Sequence, residues 1–441
     1  MSDGRDKGLA VPASRLGRLS RLGGMTAGIA GNMALGGMAQ LGRGQRPDWR
    51  TLLLTPSNVT RVADQLAKMR GAAMKVGQLV SMDTGDVLPP ELAQIMARLR
   101  DDAHFMPPAQ LKKVLAAQWH AGWLRDFARF DVRPIAAASI GQVHRAQLHD
   151  GRDLAIKVQY PGVARSIDSD VSNVGALVRL SGLLPKGFVL EPYLAEAALQ
   201  LHEETDYRRE AACLQRFHGL LAGHDGFVLP QVHEDWSTGA ILAMQFVAGR
   251  PIEEAASAPQ AQRDLIMRRL VDLTFKELFE FKVMQSDPNF ANYLFDPQSG
   301  DIILLDFGAT REISAQMSEL YRHLFRSGLE GDAYSLEELA VTIGFIDGSI
   351  SKVHRDQVME MMMLAFSGLR VPLFDFTETT LTRQIQQKGE ALARSGFVPP
   401  AVPMEVLYLQ RKFGGMFLLG ARLGAKLPVA EMLAPYLEAR V

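Results

Sequence analysis

Asp287 and Asn292 stand in D-x-x-x-x-N spacing within Ser286-Asp287-Pro288-Asn289-Phe290-Ala291-Asn292, and Asp306-Phe307-Gly308 follows nineteen residues after Asp287. Asp306 lies directly behind the apolar run Ile302–Leu305, and a tight turn there aims its carboxylate at the same place as Asn292. Two oxygen ligands converging in this way suit a hard cation, Mg2+ carried on nucleotide phosphates. Lys157 closes another apolar run, Leu154-Ala155-Ile156. Its ammonium must reach something polar: a phosphate together with a helix carboxylate is one solution, and snorkelling at the core edge is the other. Acidic candidates for that carboxylate are Glu203, Glu204, Asp206 and Glu210. Asp206 and Glu210 are four apart and share a helix face, whereas Glu204 and Glu210 cannot on a straight helix, so more than one acidic role is expected.

The elements that must hold these groups follow from periodicity. Val62, Leu66, Met69, Ala73, Val76 and Val80 step by four and three alternately and predict an amphipathic helix that carries Lys75 and Gln78 on one face. Glu91–Arg100 and Ala109–Gln118 read as short helices behind the proline pairs Pro89-Pro90 and Pro107-Pro108. From Ile135 the texture becomes β-rich, with strands expected in Ile135–Leu148, Leu154–Tyr160, Phe227–His233 and Ala240–Phe246. Helical periodicity returns at Leu265–Phe281. Strands at Tyr293–Phe295 and Ile302–Leu305 bracket the turn Asp296–Gly300, and the chain after Ile313 reads as helical.

Composition bounds the classes available. The chain has 441 residues, 47% of them apolar, which excludes a disordered polymer. With 48 Lys+Arg against 49 Asp+Glu there is no global electrostatic case for nucleic acid as a partner. A lone cysteine, Cys213, excludes an internal disulfide or a thiolate-rich metal site. Residues 1–50 stand apart, with eight Lys+Arg against three Asp and eleven of the 39 glycines. Within them Leu22–Leu41 is free of charge but diluted by six glycines, with Gly24 and Gly28 in a G-x-x-x-G pair. A flexible arm, a membrane-surface or dimerising helix, and a full span are the readings this run leaves open.

The order of motifs is that of protein kinases. The kinase glycine loop G-x-G-x-x-G-x-V has its register in Ala136-x-Ala138-x-x-Gly141-x-Val143, with alanine at two of the three glycine positions. Lys157 ends the strand that corresponds to V-A-I-K, and the D-x-x-x-x-N and D-F-G elements complete the series. The chain resembles the UbiB family of atypical kinase-like proteins, also called AarF-domain-containing kinases, in its ubiquinone-biosynthesis branch. Lys75-Val76-Gly77-Gln78 matches that family's K-x-G-Q, Ala136-Ala137-Ala138-Ser139 its alanine-rich loop, and Glu204-Thr205-Asp206 its E-x-D.

The resemblance implies an α+β, two-lobed protein-kinase-like fold with a helical N-terminal extension. Its divisions are an arm at 1–50, the extension at 51–132, an N-lobe at 133–250 and a C-lobe at 251–441. It implies ATP or ADP with Mg2+ as cofactors. The nucleotide side would comprise Ala136, Ala137, Ala138, Ser139, Gly141, Val143, Lys157, Glu204 and Glu210, with Lys157 paired to Glu210. Asn292 and Asp306 would hold the metal, Asp287 would occupy the catalytic-base position, and Lys75 would reach the active site from a helix that interacts with the E-x-D acids. Implied partners are a membrane surface with lipid or quinone intermediates, ubiquinone-biosynthesis proteins and a second copy in a homodimer. The implied location is cytoplasmic and peripheral at the inner membrane.

Departures from ordinary kinases bear on the reaction. Gln285-Ser286-Asp287 stands where kinases carry H-R-D, so no arginine is available there to read an activation-loop phosphate. No A-P-E follows Asp306, and Arg311 and Glu312 are expected to lead at once into a helix. These features predict ATP binding with slow hydrolysis, stimulated by membrane or lipid, rather than phosphorylation of proteins in trans. A nucleotide-holding scaffold and a small-molecule or lipid kinase are the rival classes. Without glycine at 136 and 138 the backbone is less free to approach phosphates. Ala138→Gly is therefore expected to change nucleotide affinity or selectivity in a calorimetric titration, and unchanged binding would count against that explanation.

Overall fold

The computed structural model describes residues 69–84, 105–181, 189–397, 399–400 and 402–438. The glycine-rich run Leu22–Leu41, the start of the Val62–Val80 pattern and the expected helix Glu91–Arg100 lie outside the described residues. The described residues divide into two compact units, one of those up to 211 with 231–246 and the other of 212–230 with those from 247 on.

In the first unit, helix α1 (Arg70–Thr84) carries Lys75, and α2 (Pro108–Gln118) begins, as expected, at a proline that needs no N–H in the first turn. Strands β1 (Phe127–Phe130), β2 (Ala136–Ala137), β3 (Gly141–Leu148) and β4 (Asp153–Gln159) follow. Helices α3 (Val163–Ser181), α4 (Glu191–Glu204) and α5 (Tyr207–Leu220) come next, the boundary between units falling inside α5. Beyond β5 (Phe227–Val228), strand β6 (Ile241–Gln245) completes an antiparallel sheet in the order β1-β3-β4-β6, with β2 folded back on β3.

Alternation along β4 decides the chemistry of its two faces. Leu154, Ile156 and Val158 enter a core with Leu111, Leu115, Trp123, Phe127 and Ile241. The period of two therefore turns Lys157 and Gln159 to the opposite face. In register, Lys157 sits opposite Val143 on one side and Leu242 on the other. Of the run Phe227–His233 only the first two residues form a strand. Past Pro230, which has no N–H to contribute to a ladder, Val232 makes a single bridge to Met244.

The second unit holds β5 in a sheet ordered β5-β10-β9-β7, made with β7 (Arg250–Pro251), β9 (Tyr293–Phe295) and β10 (Ile302–Leu304). Helix α6 (Gln260–Lys276) runs into a π-turn at Glu277–Phe281, which Lys282 ends in a left-handed conformation before β8 (Val283–Gln285). β8 pairs with β11 (Thr310–Glu312). Arg311 and Glu312 are thus strand residues, a correction to the helix expected there. The helix starts only after Ser314, whose hydroxyl accepts from the Met317 N–H and caps it.

Helices α7 (Ala315–Glu330), α8 (Ala333–Ile343) and α9 (Lys352–Leu369) follow, then β12 (Phe374–Asp375), α10 (Thr379–Arg394), α11 (Met404–Leu423), β13 (Lys426–Leu427) and α12 (Val429–Leu437). The small β12–β13 pair departs from the helical reading of the chain after Ile313. Among the described residues no helix is long and apolar enough to cross a membrane.

Gly141, where β3 leaves the alanine-rich turn, has no room for a side chain. A Cβ there would lie 2.4 Å from the Val158 carbonyl oxygen and 3.0 Å from the Tyr207 hydroxyl. Since the first of these atoms belongs to a paired strand, Gly141→Ala is expected to cost about 1–3 kcal/mol. Urea unfolding should show a lower midpoint with an unchanged slope.

Candidate active site

In the first unit, Lys157 donates from Nζ to both carboxylate oxygens of Glu210, at 2.7 and 2.9 Å. Both side chains are almost fully buried, and the Tyr207 ring lies 5.2 Å from the ammonium. Of the four acidic candidates, Glu210 is therefore the lysine's carboxylate. Its placement depends on a break in the helical run. α4 stops at Glu204, Asp206 accepts from the N–H groups of Arg208 and Arg209, and α5 starts afresh at Tyr207. Gln159, two residues beyond Lys157 on the same face of β4, donates to the Thr205 carbonyl at 2.6 Å and ties the break to the sheet. Sequence reasoning missed Gln159, although alternation along β4 would have put it beside Lys157.

Glu204, on the other side of that break, pairs with Lys75 of α1 and accepts from the Ser139 hydroxyl at 3.1 Å. One carboxylate thus joins the K-x-G-Q helix to the alanine-rich turn. The Lys75 side chain is only 7% exposed, so this lysine is buried rather than part of a solvated helix face. Within the turn, Ala136 and Ala137 pair with Val143 and Gln142, and the Ala138 N–H donates to the Gly141 carbonyl.

In the second unit, Asn292 and Asp306 line one small cavity together with Glu277, Gln285, Tyr293 and Lys412. The Leu305 N–H donates to the Asn292 carbonyl at 3.0 Å, which ties the segments bearing Asn292 and Asp306 together. Asp306 accepts from the Gly308 N–H at 2.9 Å across the turn, and Phe307 is buried against Phe217, with ring centroids 4.8 Å apart. Asn292 donates from Nδ2 to Asp287 Oδ2 at 3.2 Å, which leaves Oδ1 as the atom it can offer a cation. Asp287 Oδ1 accepts from Arg411 of α11.

Comparison with known proteins decides the family. A model described as the ABC1 atypical kinase-like domain matches residues 98–340. The mitochondrial atypical kinase COQ8 of Saccharomyces cerevisiae is 38% identical over 429 residues, covering 97% of this chain and 85% of that protein. The mitochondrial atypical kinase COQ8B of Rattus norvegicus is 37% identical over 439 residues, covering 97% and 81%. The chain belongs to the UbiB, or ABC1, family of atypical kinases. Among solved structures, the Rv3197–erythromycin complex from Mycobacterium tuberculosis matches with a TM-score of 0.61 at 25% identity, over 88% of this chain and 99% of that one. The fold is the mixed α/β, two-lobed protein-kinase-like fold expected above.

As a UbiB-family member the chain is an ATP-binding, kinase-like enzyme rather than a classical protein kinase, and membership carries the use of a nucleotide with a divalent metal. The cavity's donors fit such a group. An amide and a carboxylate are hard oxygen donors, and Mg2+ takes only one or two protein groups because phosphates and water complete its shell. Among the described residues no cluster of three or more His, Cys, Asp or Glu could hold a metal alone. The Gln285 side-chain amide, buried in the cavity wall, has no hydrogen-bond partner. A polar cavity with an unsatisfied amide suits a water or ligand oxygen.

The wall of this cavity includes a pair that the sequence did not announce. Lys412 of α11 and Glu277 of the π-turn are both fully buried, 3.0 Å apart. Lys412 also donates to the Gln285 carbonyl at 3.0 Å, while Glu277 accepts from the Gln285 N–H at 3.1 Å. Burial pushes the Glu277 carboxyl up, against the pull of Lys412. Burial also works against the charge on Lys412, but Glu277 and Tyr293 outweigh it and hold the ammonium above its ordinary pKa. Removing one partner of such a pair costs about 3–5 kcal/mol, whereas apolar replacement of both is close to neutral. Lys412→Met should therefore lower the urea midpoint strongly and the double variant Lys412→Met with Glu277→Leu should recover most of it; equal losses in the two would refute the pairing energy.

Proposed function

We propose that this chain binds ATP or ADP with Mg2+ and hydrolyses ATP slowly, in support of ubiquinone or related isoprenoid-quinone biosynthesis at a membrane surface. The observation that carries the proposal is joint retention. Lys157 is held by Glu210 in both of its oxygens, and Asp287, Asn292 and Asp306 are all present, with Asn292 and Asp306 on one cavity. A scaffold that only held a shape would need none of these jointly. The pathway is inferred from the COQ8 relatives.

In this reading Lys157 contacts the nucleotide phosphates, and Glu210 keeps its ammonium oriented toward them. Asn292 and Asp306 hold Mg2+, which when bound offsets charge on the phosphates. Asp287 orients the attacking water. The residues of the alanine-rich turn, Ala136 to Ser139 with Gly141 and Val143, contact the nucleotide. Hydrolysis is favoured over protein phosphorylation because Gln285-Ser286-Asp287 supplies no arginine and β11 with α7 follows Asp306-Phe307-Gly308 where kinases build a peptide platform. Lys75, fixed by Glu204, belongs to the same machinery. Attachment to the inner membrane is peripheral in this reading, through the arginine-flanked run Leu22–Leu41, with lipid or quinone intermediates, biosynthetic proteins and a second copy of the chain as partners.

The first test is the thermal shift of the full chain with Mg-ATP beside Asp306→Asn. Ligand at about 100 times its dissociation constant adds roughly 2.7 kcal/mol of stability. Wild type should shift and Asp306→Asn should not, and ATPase activity of the wild type should rise with liposomes. Absence of a shift in both proteins would sink the nucleotide reading.

A further inference from the structure

Helix α11 touches the segment around Asp287 at three points on neighbouring positions of one face. Arg411 donates to Asp287 Oδ1. Lys412 donates to the Gln285 carbonyl. Gly415 lies so close to Pro288 that a Cβ on it would be 2.2 Å from the proline Cβ. On its other side the segment is held by Ser286, whose N–H and hydroxyl both donate to the Ala309 carbonyl, at 3.1 and 2.8 Å. Residues 285–288 are therefore clamped between α11 and the chain that follows Asp306-Phe307-Gly308.

Arg411 differs from the other two contacts because it is the one that meets a functional side chain of the candidate site: Lys412 meets a backbone carbonyl and Gly415 a proline ring. Asp287 has two oxygens. Oδ1 takes the Arg411 guanidinium and Oδ2 takes Asn292 Nδ2. The Asn292 amide also donates to the Asp287 carbonyl oxygen, at 3.3 Å. With its nitrogen committed twice to Asp287, the amide can present only Oδ1 to a cation. The Arg411 side chain is 11% exposed and Asp287 24%, so the ion pair is shielded enough to hold one geometry.

We propose that Arg411 is a positioning residue which, acting through Asp287, sets the Asn292 amide with Oδ1 toward the metal. It also supplies a cation at Asp287 that Gln285-Ser286-Asp287 lacks. The proposal rests on the reading of Asn292 and Asp306 as metal ligands. Loss of the guanidinium frees Asp287 to turn, Asp287 no longer dictates which way the amide faces, and an amide that spends time with nitrogen forward binds a cation less well. Nucleotide binding without metal does not use this relay.

The test measures Mn2+ binding by electron paramagnetic resonance in the presence of ADP, and metal-free ADP binding by calorimetry, for wild type, Arg411→Met, Arg411→Lys and Asn292→Ala. Arg411→Met should weaken Mn2+ about tenfold and leave metal-free ADP affinity within twofold, with Arg411→Lys recovering part of the loss. A structural role alone would weaken both ligands together. Mn2+ affinity within twofold of wild type in Arg411→Met, while Asn292→Ala loses it, would overturn the role of Arg411 and leave the metal-site reading standing. Unchanged Mn2+ affinity in Asn292→Ala would overturn both. If Arg411→Met does not fold, Arg411→Gln, which keeps an amide donor but no charge, decides by the same Mn2+ measurement, and retention of full affinity there refutes the proposal.

Discussion

Lys157, Lys75 and Lys412 each place an ammonium where water is nearly absent, and each is met by one carboxylate: Glu210, Glu204 and Glu277. A buried cation left alone is too costly to keep, so each pair forces the two elements that carry it into a fixed relation. Lys157 ties β4 to α5. Lys75 ties α1 to the end of α4 and, through Ser139, to the alanine-rich turn. Lys412 ties α11 to the π-turn and to the backbone just ahead of Asp287. The apolar cores supply the bulk of the stability in both units, but they are tolerant of small shifts. The charged pairs are not, because an ångström of separation in a low-dielectric interior is expensive.

Two backbone irregularities make these pairings geometrically available. An unbroken helix from Glu191 to Leu220 would send Glu204 and Glu210 to different faces, so the interruption at Thr205 and Asp206 lets each carboxylate find its own lysine. Gln159 fixes that interruption to the strand bearing Lys157, and the Tyr207 N–H is taken by the Gly239 carbonyl. In the second unit the widened turn at Glu277–Phe281 and the left-handed Lys282 swing the chain into β8. Such π-turns cost hydrogen-bond regularity and recur at functional sites. Here Glu277 is brought far enough inward to accept from Gln285.

Much of this was legible in the residues, for identifiable reasons. Lys157 was readable because a lysine closing Leu154-Ala155-Ile156 violates the apolar pattern of its own strand. Asp287, Asn292 and Asp306 were readable because they lie close in sequence and their spacing maps onto one short hairpin. Glu210 was narrowed only to four neighbours, since periodicity cannot show where a helix breaks. The strand at Arg311–Glu312 was hidden because it is three residues long and owes its existence to β8, a partner that no local pattern reveals. Arg411 and Lys412 were invisible for a stronger reason: each acts on a residue more than a hundred positions away, and nothing local on α11 names its partner.

The placement of charge also bears on what reaction the fold can sustain. In a switchable kinase the arginine beside the catalytic aspartate is free to read an incoming phosphate, which lets a modification elsewhere govern the site. In this chain the cation at Asp287 comes from α11, in the same helix as a fully buried lysine and next to the close contact of Gly415 with Pro288. Here the guanidinium already has a carboxylate partner, so the charge beside Asp287 is occupied rather than held open for a phosphate. The Lys75–Glu204–Ser139 link is a contact of another kind, because one carboxylate there holds both α1 and the alanine-rich turn, and displacing it would release both.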